Sequence, residues 1–198
     1  MTLAMNQTKS LPQNIGGPLV IWKDLFTAQE LDAIEACGDG LIPMQAEIAG
    51  RKQNADHMRI TKVAWMERNP QTAWLYARLE EAVLQLNAEF YKFDLFGLNE
   101  SFQYTVYDGV DGGHYNWHVD IGATDYEPRK ISLSLQLTDP SRYQGCNLVL
   151  EAGDGPYVAE KARGTLIAFP SYVLHRVTPI ESGIRKSLVI WVSGPEFR

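Results

Sequence analysis

Three residues able to bind a metal ion follow an ordered pattern in the second half of the sequence. His118 and Asp120 form a His-x-Asp pair, and His175 follows after several strand-like segments. On a strand, residues i and i+2 point to the same side, so the first imidazole and the carboxylate can converge on one ion. Two histidines and one carboxylate on one face of an octahedron suit a non-haem ferrous centre, because the other positions stay open. The alternative is a chance His-x-Asp pair and a hydrogen-bonded strand histidine.

An arginine between this last histidine and an apolar strand is a candidate anion-binding residue. Pro179 and Gly183 predict a chain reversal, so we expect His175 and Arg185 on paired, adjacent strands. A guanidinium that points into the fold needs an anion, and its planar fork matches a carboxylate. The alternative is that Arg185 is a solvated loop residue.

The elements that must position these residues are short segments with strand character. They are rich in β-branched and aromatic residues and too closely spaced for the helical crossovers of parallel strands. In one of them, apolar residues alternate with Ser132, Ser134 and Gln136, so its polar face is expected to line a wet pocket. The predicted strands cover residues 102–107, 131–137, 147–150, 165–169 and 187–193.

Two helices are predicted in the first half of the chain. Thr27 and Glu30 form a capping box at the start of the first helix, and Gly38 is expected to end it. The second helix is predicted to begin at Asn69-Pro70, with the proline at the first helical position, and to end near Gly97. Helices followed by strands indicate the α+β class, with the helices packed outside a β-sandwich or barrel.

The composition indicates an ordinary globular protein. The chain has 198 residues, of which 45% are hydrophobic and 21% charged, and this length predicts one domain after a flexible leader at residues 1–17. The formal net charge of −6 disfavours nucleic-acid and anionic-membrane partners. No apolar run is long enough to span a bilayer, no secretory signal is evident, and the two cysteines form no CxxC motif, which together predict a cytoplasmic protein.

The stretch from residue 101 to residue 198 resembles the iron(II)/2-oxoglutarate-dependent oxygenases, in the prolyl 4-hydroxylase-like branch that includes the bacterial PKHD-type hydroxylases. The matching segments keep the order of the family. They are residues 103–107, 115–120, 131–140, 143–145 and, most specifically, 169–185. The resemblance implies one oxygenase domain over residues 18–198. Its double-stranded β-helix (jelly-roll) core is expected at about 101–198, with helices from about 25–97 packed on the outer face of the major sheet.

The resemblance also implies roles for individual residues. His118, Asp120 and His175 would bind Fe(II), and no catalytic residue is expected beyond this metal centre. Arg185 would pair with the distal carboxylate of 2-oxoglutarate, and Tyr107 would donate a hydrogen bond to this cosubstrate. The expected reaction uses dioxygen to hydroxylate an unactivated C–H bond. Its substrate would be a prolyl or lysyl side chain of a protein or peptide, or a free amino acid or other small molecule.

Further residues are expected around this site. The predicted lining of the pocket comprises Ser134, Gln136, Ser187, Trp191 and Tyr115. The chain departs from the family at two points, because Gly145 is followed by Cys146 where relatives often have a second glycine, and Val189 stands where a hydroxyl is expected.

Several interpretations stay open. His114 is either solvated or in contact with substrate, and His57 lies in a polar stretch, residues 51–59, that is either a surface loop or a flap over the site. A non-catalytic small-molecule-binding barrel and a cupin-type metal enzyme are the alternatives to an oxygenase. Cupins usually recruit more histidines, so the four in this chain disfavour the latter.

Overall fold

The computed structural model describes residues 10–45, 58–122, 128–151, 153 and 155–197. The first described element is a hairpin of strands β1 (Gln13–Gly16) and β2 (Leu19–Trp22). The predicted flexible leader is therefore wrong at Gln13–Gly16, while residues 1–9 lie outside the described residues. The physical reason is a local turn: the side chain of Asn14 accepts a hydrogen bond from the Gly16 N–H and donates one to the Gly17 carbonyl, both at 3.0 Å.

The first helix, α1 (Ala28–Asp39), begins at the predicted capping box. The Thr27 hydroxyl accepts from the Glu30 N–H at 3.2 Å, and the Glu30 carboxylate accepts from the Thr27 N–H at 2.8 Å. The prediction that the helix ends at Gly38 is wrong, because Gly38 is a buried helical residue and Gly40 is the C-cap. Gly38 instead allows the helix to lie close to Tyr104, since a Cβ atom at this position would overlap the ring of that tyrosine.

Replacing Gly38 with alanine should therefore destabilise the fold. Overpacking a core contact costs about 1–3 kcal/mol, so thermal unfolding of Gly38→Ala should occur at a lower temperature. Gly40→Ala is the matched control, because a Cβ there would meet only two carbonyl oxygens at 3.5 Å. Equal melting temperatures for Gly38→Ala and the unmodified protein would contradict the role given to this contact.

The second helix, α2 (Ala73–Leu86), begins and ends at other residues than predicted. Residues 69–72 form a turn instead of a helix, because the Asn69 side chain accepts from the Gln71 N–H and the Thr72 hydroxyl donates to the Glu67 carbonyl. A π-helical turn at Asn87–Tyr91 follows the helix and precedes Lys92, whose φ is +57°. The end predicted near Gly97 is thus also wrong, since Gly97 forms a β-bridge with Ser193.

The described strands form two antiparallel sheets. The strands after the first hairpin are β3 (Met44–Gln45), β4 (Arg59–Ile60), β5 (Lys62–Met66), β6 (Phe102–Asp108), β7 (His114–His118), β8 (Arg129–Gln136), β9 (Tyr143–Gly145), β10 (Leu148–Glu151), β11 (Pro156–Val158), β12 (Leu166–Pro170), β13 (His175–Val177) and β14 (Ile180–Ser193). The five predicted strands are all present, with shifted ends. The larger sheet has the order β1-β2-β12-β8-β14-β6-β5-β3, with β9 paired to β14, and the smaller sheet has the order β11-β10-β13-β7-β4.

The strands that carry His175 and Arg185 lie in different sheets, so the prediction that they are paired is wrong. Strand β13 already has β10 on one side and β7 on the other. The chain instead passes into the larger sheet, where β14 first pairs with β9 and then lies between β6 and β8. Gly183 allows this path, because its φ is +78° and a Cβ would overlap the Arg142 carbonyl. His175 and Arg185 consequently approach the interior from opposite sheets.

Two hydrophobic clusters define the layers of the fold. The first joins apolar residues of α1 and α2 to one face of the larger sheet, which includes Ile131, Leu133 and Leu135. The second contains residues of both sheets, among them Phe169 and Leu148. The alternate residues of β8, including Ser132 and Ser134, are also buried, so the strand is covered on both faces. No helix among the described residues has the length and apolar character needed to cross a membrane.

Candidate metal centre

The three predicted metal ligands converge at the ends of two neighbouring strands. His118 is the last residue of β7 and is paired in register with His175, the first residue of β13. Asp120 follows two residues later, fixed by its backbone N–H, which donates to the Ser171 carbonyl at 2.8 Å. The carboxylate lies 3.7 Å from the Nε2 atom of His118 and 3.4 Å from that of His175. One potential ligand atom from each residue lies within 4.8 Å of the others.

Hydrogen bonds orient both imidazoles toward this point. The Nδ1 atom of His118 lies 2.7 Å from the Asn116 carbonyl, and that of His175 lies 2.9 Å from the Val173 carbonyl. Because a carbonyl oxygen only accepts, the network assigns the proton to Nδ1 in each ring. The lone pair of each Nε2 is then free for an ion, which is the usual arrangement of metal-binding histidines.

The electrostatics of the cluster favour the ligand-ready protonation states. Burial, and next the charge of His175, lower the pKa of His118 to about 4, so its ring is neutral near pH 7. Burial alone would raise the pKa of Asp120, but the two neighbouring imidazoles hold this pKa below its ordinary value. The Ser132 hydroxyl also donates to the Asp120 carboxylate at 2.8 Å. These effects favour a neutral His118 imidazole beside an ionised Asp120 carboxylate.

Arg185 is a buried cation, so its interpretation as a solvated loop residue is wrong. Its side chain is on β14 and only 2% of the residue is exposed. The Nε and Nη2 atoms donate to the Gln136 amide oxygen at 3.1 and 2.9 Å, and Nη1 has no hydrogen-bond partner. Within the described part of the chain, no carboxylate forms an ion pair with this guanidinium. An unneutralised guanidinium with a free N–H group fits a carboxylate ligand.

Tyr107 lies next to Arg185 in the larger sheet, since the two residues are paired across β6 and β14. The guanidinium carbon lies 5.4 Å from the centre of the phenol ring. Burial raises the pKa of Tyr107 to about 12. The phenol is therefore neutral near pH 7 and can donate a hydrogen bond into the interior.

One pocket connects the three-residue cluster to Arg185 and Tyr107. Four of the five predicted lining residues border this pocket. The fifth, Gln136, does not border it but accepts hydrogen bonds from Arg185, which does. Tyr115 also stacks on the ring of His118, with ring centres 3.5 Å apart. The remaining lining is largely apolar. The residues around the pocket that sequence reasoning named as lining are Ser134, Ser187, Trp191 and Tyr115, and those it did not name include Leu148, Phe169, Val177 and Arg59.

The other residues singled out in the sequence have different surroundings. Cys146 is fully buried with a φ of +50°, and Val189 lines the pocket with an apolar side chain. His114 is half-buried at the start of β7, where its Nδ1 atom lies 3.0 Å from the Gly112 carbonyl. His57 lies outside the described residues, as do residues 51–57 of the stretch interpreted as a loop or flap.

Arg59 is the charged pocket residue that sequence reasoning missed. It begins β4, where it pairs with Tyr115, and only 7% of it is exposed. Its guanidinium carbon lies 4.6 Å from the centre of the Tyr115 ring. The available signal was an arginine directly before the β-branched residues Ile60, Thr61 and Val63, which marks the start of strands rather than a loop.

Comparison with known proteins places this geometry in a family context. Residues 102–193 match the family model of the 2OG-Fe(II) oxygenase superfamily. A PKHD-type hydroxylase of Klebsiella pneumoniae is 31% identical over 124 residues, which cover 60% of this chain and 55% of that protein. Another, of Aliarcobacter butzleri, is 38% identical over 88 residues, which cover 41% of this chain and 39% of that protein. The matches thus span about half the length of these relatives or less.

Solved structures resemble nearly the whole chain. A Pseudomonas putida prolyl-4-hydroxylase has a TM-score of 0.68 at 21% identity and covers 91% of this chain and 94% of its own. A Trichoplax adhaerens prolyl hydroxylase in complex with a hypoxia inducible factor peptide fragment has a TM-score of 0.75 at 16% identity, with 90% and 84% covered. At these identities the likeness shows the fold, and the expectation of an oxygenase-type jelly roll is confirmed at that level.

Proposed function

We propose that this chain, in which residues 102–193 match the family model of the 2OG-Fe(II) oxygenase superfamily, is a 2-oxoglutarate-dependent dioxygenase that hydroxylates an unactivated C–H bond. The observation that carries the proposal is the convergence of His118, Asp120 and His175 in one pocket with the buried guanidinium of Arg185. The proposed reaction converts the substrate, 2-oxoglutarate and dioxygen into the hydroxylated product, succinate and carbon dioxide.

The residues present fit the implied metal and cosubstrate. Two imidazoles and a carboxylate form the facial donor set of non-haem iron, and His118, Asp120 and His175 would hold the ion. The free Nη1 of Arg185 is a buried donor that needs an anionic acceptor. With 2-oxoglutarate and dioxygen, bound iron supplies the oxidising power, which no protein side chain provides.

The protein residues of the pocket would bind and orient the cosubstrate. Arg185 would hold the distal carboxylate through its guanidinium fork, while Gln136 fixes the fork by accepting from Nε and Nη2. Tyr107 would donate from its neutral phenol to the same end of the cosubstrate. Phe169 and Val177 form part of an apolar wall that keeps the charged contacts away from bulk water, which strengthens them.

Two alternatives remain distinguishable from this proposal. A non-catalytic barrel has no need for imidazoles oriented by hydrogen bonds or for an unneutralised arginine in the same pocket. A cupin-type enzyme usually has a third histidine beside the first two, whereas the cluster found among the described residues contains two. Both features support the oxygenase over these alternatives.

We also propose the organisation around the site. Residues 18–198 would form a single oxygenase domain, in which the helical region at about 25–97 supports the outer face of the major sheet and the core covers about 101–198. The hydrophobic cluster shared by α1, α2 and the larger sheet supports this arrangement. The protein would act in the cytoplasm on a small molecule or a peptide, and the negative net charge disfavours nucleic acid as substrate.

Removing the hydroxyl of Ser132 should weaken metal binding without abolishing it. The hydroxyl donates to the Asp120 carboxylate and lies 3.0 Å from the Ser171 hydroxyl, so it orients a metal ligand. Losing such an outer partner typically costs about 10–100-fold in metal affinity, and we expect this for Ser132→Ala in a competition titration against a chelator. Ser134→Ala, two residues along the same face of β8, is the control, and an unchanged affinity in Ser132→Ala would contradict this role.

Succinate release tests the proposed function as a whole. Purified protein with Fe(II), 2-oxoglutarate and dioxygen would be screened against free amino acids and against peptides that contain proline or lysine. We expect succinate release that depends on dioxygen and increases with at least one substrate class, together with a product that mass spectrometry shows to have gained one oxygen atom. Binding of candidate substrates without any oxygen-dependent succinate would overturn the proposal.

A further inference from the structure

Arg59 places a second buried cation in the proposed active-site pocket. Its strand, β4, lies at the edge of the smaller sheet beside β7, the strand that ends in His118. The pairing of Arg59 with Tyr115 directs the guanidinium over the phenol ring, and both side chains line the pocket that contains the three proposed metal ligands. Arg59 is thus a strand residue that lines the pocket, although it ends the polar stretch of residues 51–59 that predicts a surface loop or a flap.

The described surroundings of Arg59 do not neutralise its charge. The Nε atom is buried without a hydrogen-bond partner, and none of the ion pairs formed among the described residues includes this guanidinium. Its contact with the face of Tyr115 is a weak cation–π interaction that leaves every N–H group available. A guanidinium stays protonated when buried, so the charge persists and is costly until an anion binds.

With Fe(II) and 2-oxoglutarate bound, the charges in the pocket would not balance the positive charge of Arg59. Asp120 is the one carboxylate among the described residues that line the pocket, whereas Arg59 and Arg185 are both cations. The two carboxylates of 2-oxoglutarate would offset a ferrous ion, and Asp120 would offset one of the two arginines. One positive charge then remains, and it is not balanced by the metal, the cosubstrate or the lining residues.

We propose that Arg59 binds a carboxylate of the substrate, so that the enzyme acts on carboxylate-bearing substrates; this inference rests on the proposed function. The guanidinium fork matches a carboxylate in two parallel hydrogen bonds, which fixes orientation as well as position. Because Tyr115 contacts both Arg59 and His118, a carboxylate held there is beside the proposed metal centre. The carboxylate belongs either to a free amino acid or to an acidic group of a peptide.

The test compares acids with matched amides as ligands. Protein loaded with Fe(II) and 2-oxoglutarate without oxygen would be titrated calorimetrically with free L-amino acids and with their carboxamides. A second arm would use prolyl and lysyl peptides with blocked termini, with or without one glutamate. If the carboxylate belongs to a free amino acid, the acids of the first arm should bind at least tenfold more tightly than their carboxamides. If it belongs to a peptide, the glutamate peptides of the second arm should bind at least tenfold more tightly than the same peptides without glutamate.

Variants then assign the preference to Arg59. In Arg59→Gln the acid preference should disappear, while the affinity for 2-oxoglutarate changes less than threefold, and Arg59→Lys should restore part of the preference. Arg176→Gln is the matched control, because Arg176 also lies 4.6 Å over an aromatic ring, that of Trp117, and also has a buried unpaired Nε. Its acid preference should equal that of the unmodified protein.

The outcomes separate this inference from the proposed function. A protein that binds iron and 2-oxoglutarate but prefers amides, prefers neither, or binds no member of either arm overturns the role of Arg59 alone. An acid preference that survives in Arg59→Gln does the same. A protein that binds neither iron nor 2-oxoglutarate overturns both.

Discussion

Replacing His175 with alanine should reduce the affinity for a divalent metal by more than about 100-fold. This exceeds the loss that is typical when a residue that only hydrogen-bonds to a metal ligand is removed. The imidazole supplies one of three ligand atoms that lie within 4.8 Å of one another. Without it, only His118 and Asp120 would remain to hold the ion. Oxygen-dependent succinate release should fall to the background of metal-free protein. Metal content after gel filtration and a chelator competition titration would measure the change.

His114→Ala is the matched control for this experiment. His114 is on β7, the same strand as His118, but its ring bonds to the Gly112 carbonyl and is not part of the cluster. Its loss should leave metal affinity within about twofold of that of the unmodified protein, because an uncoupled surface change costs within about 0.5 kcal/mol. Equal effects of both variants would mean that the convergence of the three residues does not reflect a metal centre.

Replacing Arg185 with glutamine should chiefly weaken the binding of 2-oxoglutarate. Truncating one partner of a buried, hydrogen-bonded charge pair costs about 2–5 kcal/mol, which corresponds to about 30-fold or more in the concentration of 2-oxoglutarate needed. Metal affinity should stay nearly unchanged, because the ligand atoms come from the other sheet and from the segment that follows β7. Steady-state titration of 2-oxoglutarate, with metal affinity measured in parallel, separates the two effects.

The fold should survive this substitution. No carboxylate among the described residues pairs with Arg185, so its removal leaves no buried anion unpaired, and Gln136 retains an amide partner in Arg185→Gln. Arg185→Lys should recover part of the affinity for 2-oxoglutarate, because lysine supplies the positive charge but not the planar guanidinium that pairs with a carboxylate through two hydrogen bonds. Parallel losses of metal and 2-oxoglutarate binding, with a lowered melting temperature, would instead assign a structural role to Arg185.

The parts of the fold and site that sequence reasoning predicted depend on local rules. The capping box at Thr27 needs only contacts three residues apart, and the alternation along β8 needs only the two faces of one strand. The pair of His118 and Asp120 likewise follows from strand geometry, whereas His175 was added from its place after several strand-like segments and from the family resemblance. These features depend on residues only a few positions apart, so the sequence alone is enough to predict them.

The parts that were missed depend on contacts between distant segments. The sequence pattern predicts a helix end at Gly38, whereas the ring of Tyr104, which requires a glycine there, lies on another element. Turn residues between His175 and Arg185 signal a reversal but do not specify that the chain changes sheets. Arg59 enters the pocket only through the pairing of β4 with β7, which no local pattern encodes. Sequence patterns thus identified side chains suited to the chemistry, while tertiary pairing decided which of them meet.

An anaerobic titration of the Fe(II)-loaded protein with 2-oxoglutarate tests the central claim most directly. Chelation of the cosubstrate by iron in a site of two histidines and one carboxylate should produce a weak metal-to-ligand charge-transfer band in the visible spectrum. We predict a saturable band for the unmodified protein, no band for His175→Ala, and a band that saturates only at much higher 2-oxoglutarate concentration for Arg185→Gln. The absence of a band in the unmodified protein, or the same band in all three proteins, would contradict the account.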